Sequence, residues 1–276
     1  MIKKLLYALN IFSLPRIVLQ NKFLLWQFVG RNVSVRYKGA LFGMVWSFFQ
    51  PLLMLCVYTF VFSIIFKARW GTDIGDSQTA FALIMFCGMA VYNIFSESVA
   101  LSVGVITGNP NLVKKVIFPL ELLPLAQVIS STILSVPWFL LLILGTVIIF
   151  GQIHLTVLLL PVVLLPVVFV ALGASYLVAS LGVFFRDMQY IVGVFLQILF
   201  FLTPIFYPIS AIPEKYRWIL EGNPMSFIIE YCRNVLIFGK MPVWGNYGLA
   251  LLLSLLALQF GFFWFHKTKK GFADVL

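Results

Sequence analysis

The chain has 276 residues, of which 62% are hydrophobic and only 10% charged, with a mean hydropathy of +1.05 and a formal net charge of +10. A soluble domain of this length is nearer half apolar and a quarter charged, so a single water-soluble core is excluded and a polytopic membrane protein is indicated. The basic excess does not point to nucleic acid, because the lysines and arginines flank apolar segments instead of forming a soluble basic domain.

In chain order, the opening MIKKLLYALNIFSLP imitates a signal peptide, with Lys3 and Lys4 before an apolar stretch. That stretch is short, is interrupted by Asn10 and lacks a small-x-small cleavage site, so it is expected to be retained. Residues 22–38 alternate in the manner of an amphipathic helix. Leu25, Phe28, Val29 and Val33 recur on one side, and Gln27, Arg31, Ser34 and Lys38 on the other. A basic amphipathic helix just before a span lies in the interface. It serves either as a plain anchor or, through Arg31, Arg36 and Lys38, as the place where an anionic lipid head group comes in.

Six apolar stretches are long enough to cross a hydrocarbon core of ~30 Å: residues 41–66, 81–106, 120–150, 155–185, 190–208 and 247–265. Without the alternating ~10-residue segments of a barrel, they read as helices. With both termini inside, lysine and arginine favour the cytoplasmic side by about two to one, and Asp73, Asp76, Glu214, Glu221 and Glu230 fall outside. Small residues recur every fourth position at Ser96, Ala100 and Gly104, and at Ala171, Ser175 and Ala179, as close helix packing requires.

The non-spanning segments carry the functional signals. In TGNPNLVKKVIFPLELL, residues 107–123, Asn109-Pro110 suits a helix start and Pro119 a stop. Leu112, Val113 and Val116 share a face beside Lys114 and Lys115. The segment is either a docking knob for a partner or a tight turn with cytoplasmic lysines. In FFLTPIFYP, Pro204 and Pro208 interrupt the fifth span, and broken backbone at membrane depth needs protein or a watery cavity to satisfy it. Beyond it, Asn223-Pro224 again reads as a helix start, followed by an apolar face (Met225, Ile228, Ile229, Cys232, Val235, Leu236), a polar one including Glu230 and Arg233, and a Gly239 cap. These residues predict a pair of short re-entrant helices, a lid over an exit. Aromatics make up 17% of the chain. Trp46, Phe49, Tyr58, Phe201, Phe206 and Tyr207 are the candidates for lining a sugar-compatible path.

Cys56, Cys87 and Cys232 form no disulfide or ligand pattern, His154 and His266 lack a second ligand at usable spacing, and no metal site is expected. No P-loop or nucleophile elbow occurs. Glu97, Glu121 and Asp187 lie near cytoplasmic span ends, where pairing (Glu121 with Lys114 or Lys115, Asp187 beside Arg186) suits them better than a proton relay.

Several separated motifs together resemble the polysaccharide-export ABC transporter permeases, which move lipid-linked O-antigen, capsule polymer or teichoic acid. Arg31, Arg36, Tyr37, Lys38, Gly39, Ala40, Leu41, Gly43, Trp46 and Pro51 fill that family's opening pattern. Asn109 to Pro119, Phe185 to Asp187, Thr203 to Tyr207 and the helix start at Asn223 follow in the family's order. The resemblance implies an all-α integral membrane fold forming one permease domain over residues 1–276. Its parts are a cytoplasmic and interface helix (1–40), five spans (41–208), a re-entrant periplasmic gate (209–243), and a sixth span with a cytoplasmic tail (244–276). It implies a homodimer in the bacterial inner membrane, both termini cytoplasmic, bound to two copies of a separate ATPase that holds ATP and Mg, with no cofactor in this chain. Asn109, Pro110, Asn111, Leu112, Val113, Lys114, Lys115 and Val116 become the coupling helix on that ATPase. Arg31, Arg36, Tyr37 and Lys38 become the lipid-head site, and Pro204, Pro208, Asn223, Pro224 and Arg233 the gate. The cargo expected first is undecaprenyl-diphosphate-linked O-antigen, then capsule or teichoic acid. An ion-coupled carrier would show buried ionisable residues and repeats, and a membrane-embedded glycan transferase a catalytic base or metal ligands; the sequence offers neither.

Overall fold

The computed structural model describes residues 13–66, 70, 78–114 and 118–276. The expectations for residues 1–12, for the loop charges Lys67, Arg69, Asp73 and Asp76, and for Lys115 and Val116 fall outside the described residues. All regular structure among the described residues is helical. Helices α1 (Ser13–Gln20) and α2 (Lys22–Tyr37) precede α3 (Trp46–Tyr58), which a π-helical stretch extends to Ile65. Then come α4 (Gln78–Ser102) and the short α5 (Pro110–Lys114), followed by α6 (Leu122–Leu134) and α7 (Val136–Phe150). Next are α8 (Leu160–Val163), α9 (Leu165–Phe184) and α10 (Met188–Phe201). Last come α11 (Glu214–Glu221), α12 (Pro224–Arg233), α13 (Trp244–Thr268) and α14 (Phe272–Val275).

Five helical stretches are long and apolar enough to cross a membrane: Gly43–Phe62, Thr79–Ser102, Leu122–Phe150, Leu155–Phe184 and Trp244–Val275. Two of them are jointed where proline removes a backbone donor, at Pro137 between α6 and α7 and at Pro161 and Pro166 around α8. The stretch expected as a fifth span is shorter. Its helix α10 has 14 residues, about 21 Å at the helical rise, and stops ahead of Thr203-Pro204.

Helix α4 is the hub, with 83% of its apolar window buried. It packs against α6, α7, α9, α10 and α12, while α9 also lies along α13 and α2 along α6. Of the two small-residue stripes, Ala171, Ser175 and Ala179 are buried, and Ser175 Oγ donates to the Ser98 carbonyl at 3.2 Å. The other stripe does different work: Ser96 and Ala100 face cavities instead of a helix.

Long-range bonds sort the helix ends. Lys269 reaches Glu121, and Ser180 Oγ lies 2.7 Å from Thr268 Oγ1, so the chain's tail shares one end with the start of α6 and the last turn of α9. Lys114, Arg186, Lys267 and Lys270 belong to that end, which is the basic one. At the opposite end Thr156 Oγ1 donates to the Val235 carbonyl (2.7 Å) and Tyr247 Oη to the Val162 carbonyl (2.6 Å).

Candidate functional site

At the basic end, α2 buries Leu25 and Val29 against α6, as the expected apolar face requires. The helix is less one-sided than its sequence suggests, because Phe23, Trp26 and Val35 are exposed. Asn32 Nδ2 donates to Gln127 Oε1 (3.2 Å), and Ser130 Oγ to the Val29 carbonyl (3.4 Å), pinning α2 to α6. Between α2, the last turns of α4 and α6 lies a cleft of about 720 Å³. Arg31 and Arg36 line it, with Asn32, Gln127 and Asn109. Arg31 also rests over the Phe28 ring at 4.5 Å. Two of the four predicted lipid-head residues thus share one wall. Tyr37 lies deeper, in a constriction, and Lys38 is exposed outside the lining.

Arg36 pairs with Glu97 of α4. Behind that pair the constriction, about 20 Å³, leads to a second cavity of about 230 Å³. The three spaces run in series. Arg36 and Glu97 border the first two, and Gln50, Asn93 and Trp138 border the last two.

The short helix α5 stands beside the cleft. Asn109 Nδ2 bonds back to the Val105 carbonyl (2.9 Å), and Leu112 N donates to the Asn109 carbonyl (3.1 Å). Leu112 and Val113 pack against the core, which leaves Pro110, Asn111 and Lys114 exposed. The chain's tail braces this helix, because α14 touches α5 and Phe272 is fully buried among Phe184 and Phe265. Glu121, expected to meet Lys114 or Lys115, instead takes Lys269 Nζ on both oxygens at 2.9 Å, with His266 Nδ1 3.5 Å away at the edge of hydrogen-bonding reach.

Burial by itself would raise the Glu121 carboxyl, but His266 and Lys269 outweigh it and hold the group down at about 2 against an ordinary 4.5. A depressed carboxyl stabilises the fold above its unfolded value, and that contribution disappears as pH falls through the folded one. The gap in melting temperature between the protein and its Glu121→Gln variant in detergent is therefore expected to shrink between pH 4.5 and about 2. A gap independent of pH would contradict the pairing.

The six candidate aromatics divide into two groups. Trp46 and Phe49 form an edge-on pair (5.4 Å) at the start of α3. Phe206 gathers the others, stacked on Phe62 at 4.9 Å and near Tyr58 and Phe201, while Tyr207 Oη donates to the Phe201 carbonyl at 2.6 Å. Of the six, Tyr58 lines the second cavity. Tyr92, Trp138 and Phe200 line it too, and sequence reading passed over them with Gln50 and Asn93. Apolar helices rich in rings gave no signal for those three. The signal for Asn93 and Glu97 was their i, i+4 spacing within an otherwise apolar span.

At the opposite end the predicted gate residues meet, apart from Pro208. Asn223 caps α12, its side chain accepting from Met225 N (3.0 Å), and its amide reaches Thr203 Oγ1 (3.0 Å) and the Leu202 carbonyl (3.3 Å). Pro224 occupies the first turn of that helix. Pro208 has no N–H to offer the Pro204 carbonyl four residues back. Arg233, 1% exposed, replaces it: Nη2 donates to the Pro204 carbonyl (2.9 Å) and the Ile205 carbonyl (3.1 Å), and Nε to the Ile84 carbonyl (3.1 Å). Its guanidinium also lies 4.2 Å from the Trp70 ring centre. A helix that stops at two prolines is thus sewn to the hub by one side chain of α12. Gly239 ends the following π-helical turn with φ +63°, a backbone that suits glycine.

The fold is that of a polytopic membrane protein, a bundle of apolar helices with a cationic cleft at one end beside a short exposed helix. The chain belongs to the ABC-2 type transporter family, whose family model matches residues 24–237, and to its polysaccharide-export permeases. It is 31% identical over 235 residues to the O-antigen export system permease protein RfbA of Myxococcus xanthus, covering 83% of this chain and 86% of that one. It is 26% identical over 254 residues to the Klebsiella pneumoniae protein of the same name (89% and 92%). It is 24% identical over 233 residues to the polysialic acid transport protein KpsM of Escherichia coli (84% and 88%). Permeases of this family are transport subunits, not enzymes, and work with a partner ATPase.

Proposed function

We propose that this chain is the transmembrane subunit of an exporter that moves undecaprenyl-diphosphate-linked O-antigen across the bacterial inner membrane, powered by ATP hydrolysis in a separate subunit. The observation that carries it is the cleft in which Arg31 and Arg36 meet Asn109 at the root of α5. A diphosphate would sit against the two guanidiniums, which suit planar bidentate phosphate recognition, while the lipid tail stays in the bilayer beside α2. O-antigen is preferred to capsule polymer because the RfbA relatives are more similar than KpsM.

In this reading the basic end is cytoplasmic, as are both termini, following the positive-inside rule. The chain crosses six times, with α10 and its irregular continuation through Pro208 forming the fifth crossing. Two copies assemble, each on one ATPase subunit that binds ATP and Mg. Exposed Pro110, Asn111 and Lys114, continued by Lys115 and Val116, dock on that ATPase, and the buried side of α5 passes the stroke to the cleft wall. Helices α11 and α12 form the periplasmic gate, with the Phe206 ring cluster on the polymer path.

Reversing both Lys114 and Lys115 to Glu is expected to lower recovery of the ATPase with the tagged permease by about ten-fold or more, since the docking face then carries the opposite charge. Lipid-linked polymer should accumulate inside the cells. Full recovery and normal export would remove α5 from the coupling role. Accumulation of capsule precursor with normal O-antigen would move the cargo to capsule.

A further inference from the structure

Membrane helices ordinarily pair their polar side chains with one another. The seam between α3 and α4 departs from this. The side chain of Gln50, an exposed residue of α3, makes no hydrogen bond with any described residue and borders both the constriction and the second cavity. Across the seam, Asn93 and Glu97 share one face of α4, with Asn93 Nδ2 3.4 Å from Glu97 Oε2. This leaves the Asn93 carbonyl oxygen and the whole Gln50 amide open to the cavity. The rings of Tyr58, Trp138 and Phe200 complete the wall, and Trp138 is held by stacking on Phe86 at 5.2 Å.

The chemistry of this second space differs from that of the first. The outer cleft carries two arginines, whereas no cation lines the inner cavity, and at its mouth Arg36 is already paired with Glu97. An anion finds no free counter-charge in the inner cavity. An uncharged polyhydroxyl compound needs none: amides offer donors and acceptors at one rim, and rings offer flat faces to the C–H side of a sugar. The order of the two spaces, cationic then neutral, is the order of diphosphate then sugar in a lipid-linked glycan.

We propose that Gln50, Asn93 and Glu97 form a hydrogen-bonding subsite for the first, uncharged sugar next to the lipid diphosphate, closed in this conformation by the Arg36–Glu97 pair. The proposal rests on the reading of Arg31 and Arg36 as the diphosphate site. A phosphate arriving on Arg36 competes with Glu97 for the guanidinium. The pair is partly exposed, 32% on the arginine and 11% on the glutamate, and such pairs are weak enough to exchange partners. Release opens the constriction and frees the Glu97 carboxylate to accept a sugar hydroxyl, a charge-assisted bond. Head-group arrival and sugar admission thereby become one event.

The test uses the permease–ATPase complex in nanodiscs and two radiolabelled probes, farnesyl diphosphate and glucosyl-diphospho-farnesol, in equilibrium binding. The glycosylated probe is expected to bind about ten-fold more tightly, the worth of one or two net hydrogen bonds. Gln50→Ala with Asn93→Ala should abolish that advantage and leave farnesyl diphosphate affinity intact. Gln50→Leu, which keeps the volume, should reduce the advantage alone. Arg36→Gln should weaken both probes. Equal binding of the two probes, or an advantage that survives the double variant, overturns the sugar subsite while leaving the diphosphate site standing. Binding of neither probe to the unaltered complex overturns both.

Discussion

Gly261→Ala is expected to unseat α13 from α9 and lower the melting temperature by roughly 10 °C, corresponding to about 3 kcal/mol of overpacking. The two helices approach so closely that a Cβ at Gly261 would stand well inside van der Waals contact of the Gly173 carbonyl oxygen. The reverse substitution fares no better, since a Cβ at Gly173 would fall 2.5 Å from the Ala257 carbonyl oxygen and 2.7 Å from its carbon. Both obstacles are backbone, so no rotamer change relieves them and the helices must separate. Separation strips packing from the widest helix contact in the bundle and loosens Tyr176, which is buried against Phe262 and Phe265 and donates to the Glu121 carbonyl at 3.0 Å. Gly248→Ala, on the same helix with nothing within 4 Å of the added carbon, is the control and should melt at or slightly above the unaltered protein. Equal melting of G261A and G248A in detergent would mean that α9 and α13 do not approach so closely.

What the sequence disclosed follows the range of each signal. The Asn-Pro helix starts depend on residues within a turn of one another, and these were legible: α5 begins at Pro110, and Asn223 caps α12 in the expected way. The shortness of α10 was also written locally, in Pro204 and Pro208, but hydropathy alone ran the span through to residue 208. Partners were not legible. Arg36 finds Glu97 61 residues away, and Lys269 finds Glu121 148 residues away, distances over which periodicity carries no information. Lys114 and Lys115 looked nearer to Glu121 only because they are nearer in sequence. The aromatics failed for a related reason. In an apolar helix every ring is plausible on every face, so the choice of Tyr92 and Trp138 as cavity walls appears only when neighbouring helices leave a void beside them.

Arg233 was singled out in the sequence, but its place as a hydrogen-bonding clamp in the fold was not legible there, and its replacement carries the second large expected effect. Arg233→Leu removes the donor from three buried carbonyls, those of Ile84, Pro204 and Ile205. At ~1 kcal/mol or more for each unsatisfied group the loss is about 3 kcal/mol at least, and little assembled protein should be recovered. Arg233→Lys keeps the charge and the length of the side chain but not the fork. A single ammonium cannot serve carbonyls on α4 and on the broken end of α10 together, so it should be intermediate in yield and melting temperature. Charge itself is not the agent. Glu230, the ion-pair partner at 3.7 Å, is about half exposed, and Glu230→Gln should shift stability by under ~1 kcal/mol. The ordering wild type, Glu230→Gln, Arg233→Lys, Arg233→Leu in thermal melts therefore separates a hydrogen-bonding clamp from an electrostatic one. If Glu230→Gln were as damaging as Arg233→Lys, the ion pair would be what holds α12 in place, and the prolines would need another explanation. If the clamp is right, it answers why a membrane helix can stop at these prolines: Arg233 of α12 supplies the donor that Pro208 lacks and serves the Ile205 carbonyl beside it. Any outward movement of α12 then has to carry the broken end of α10 with it as one body, or break the Arg233 bonds to Pro204 and Ile205.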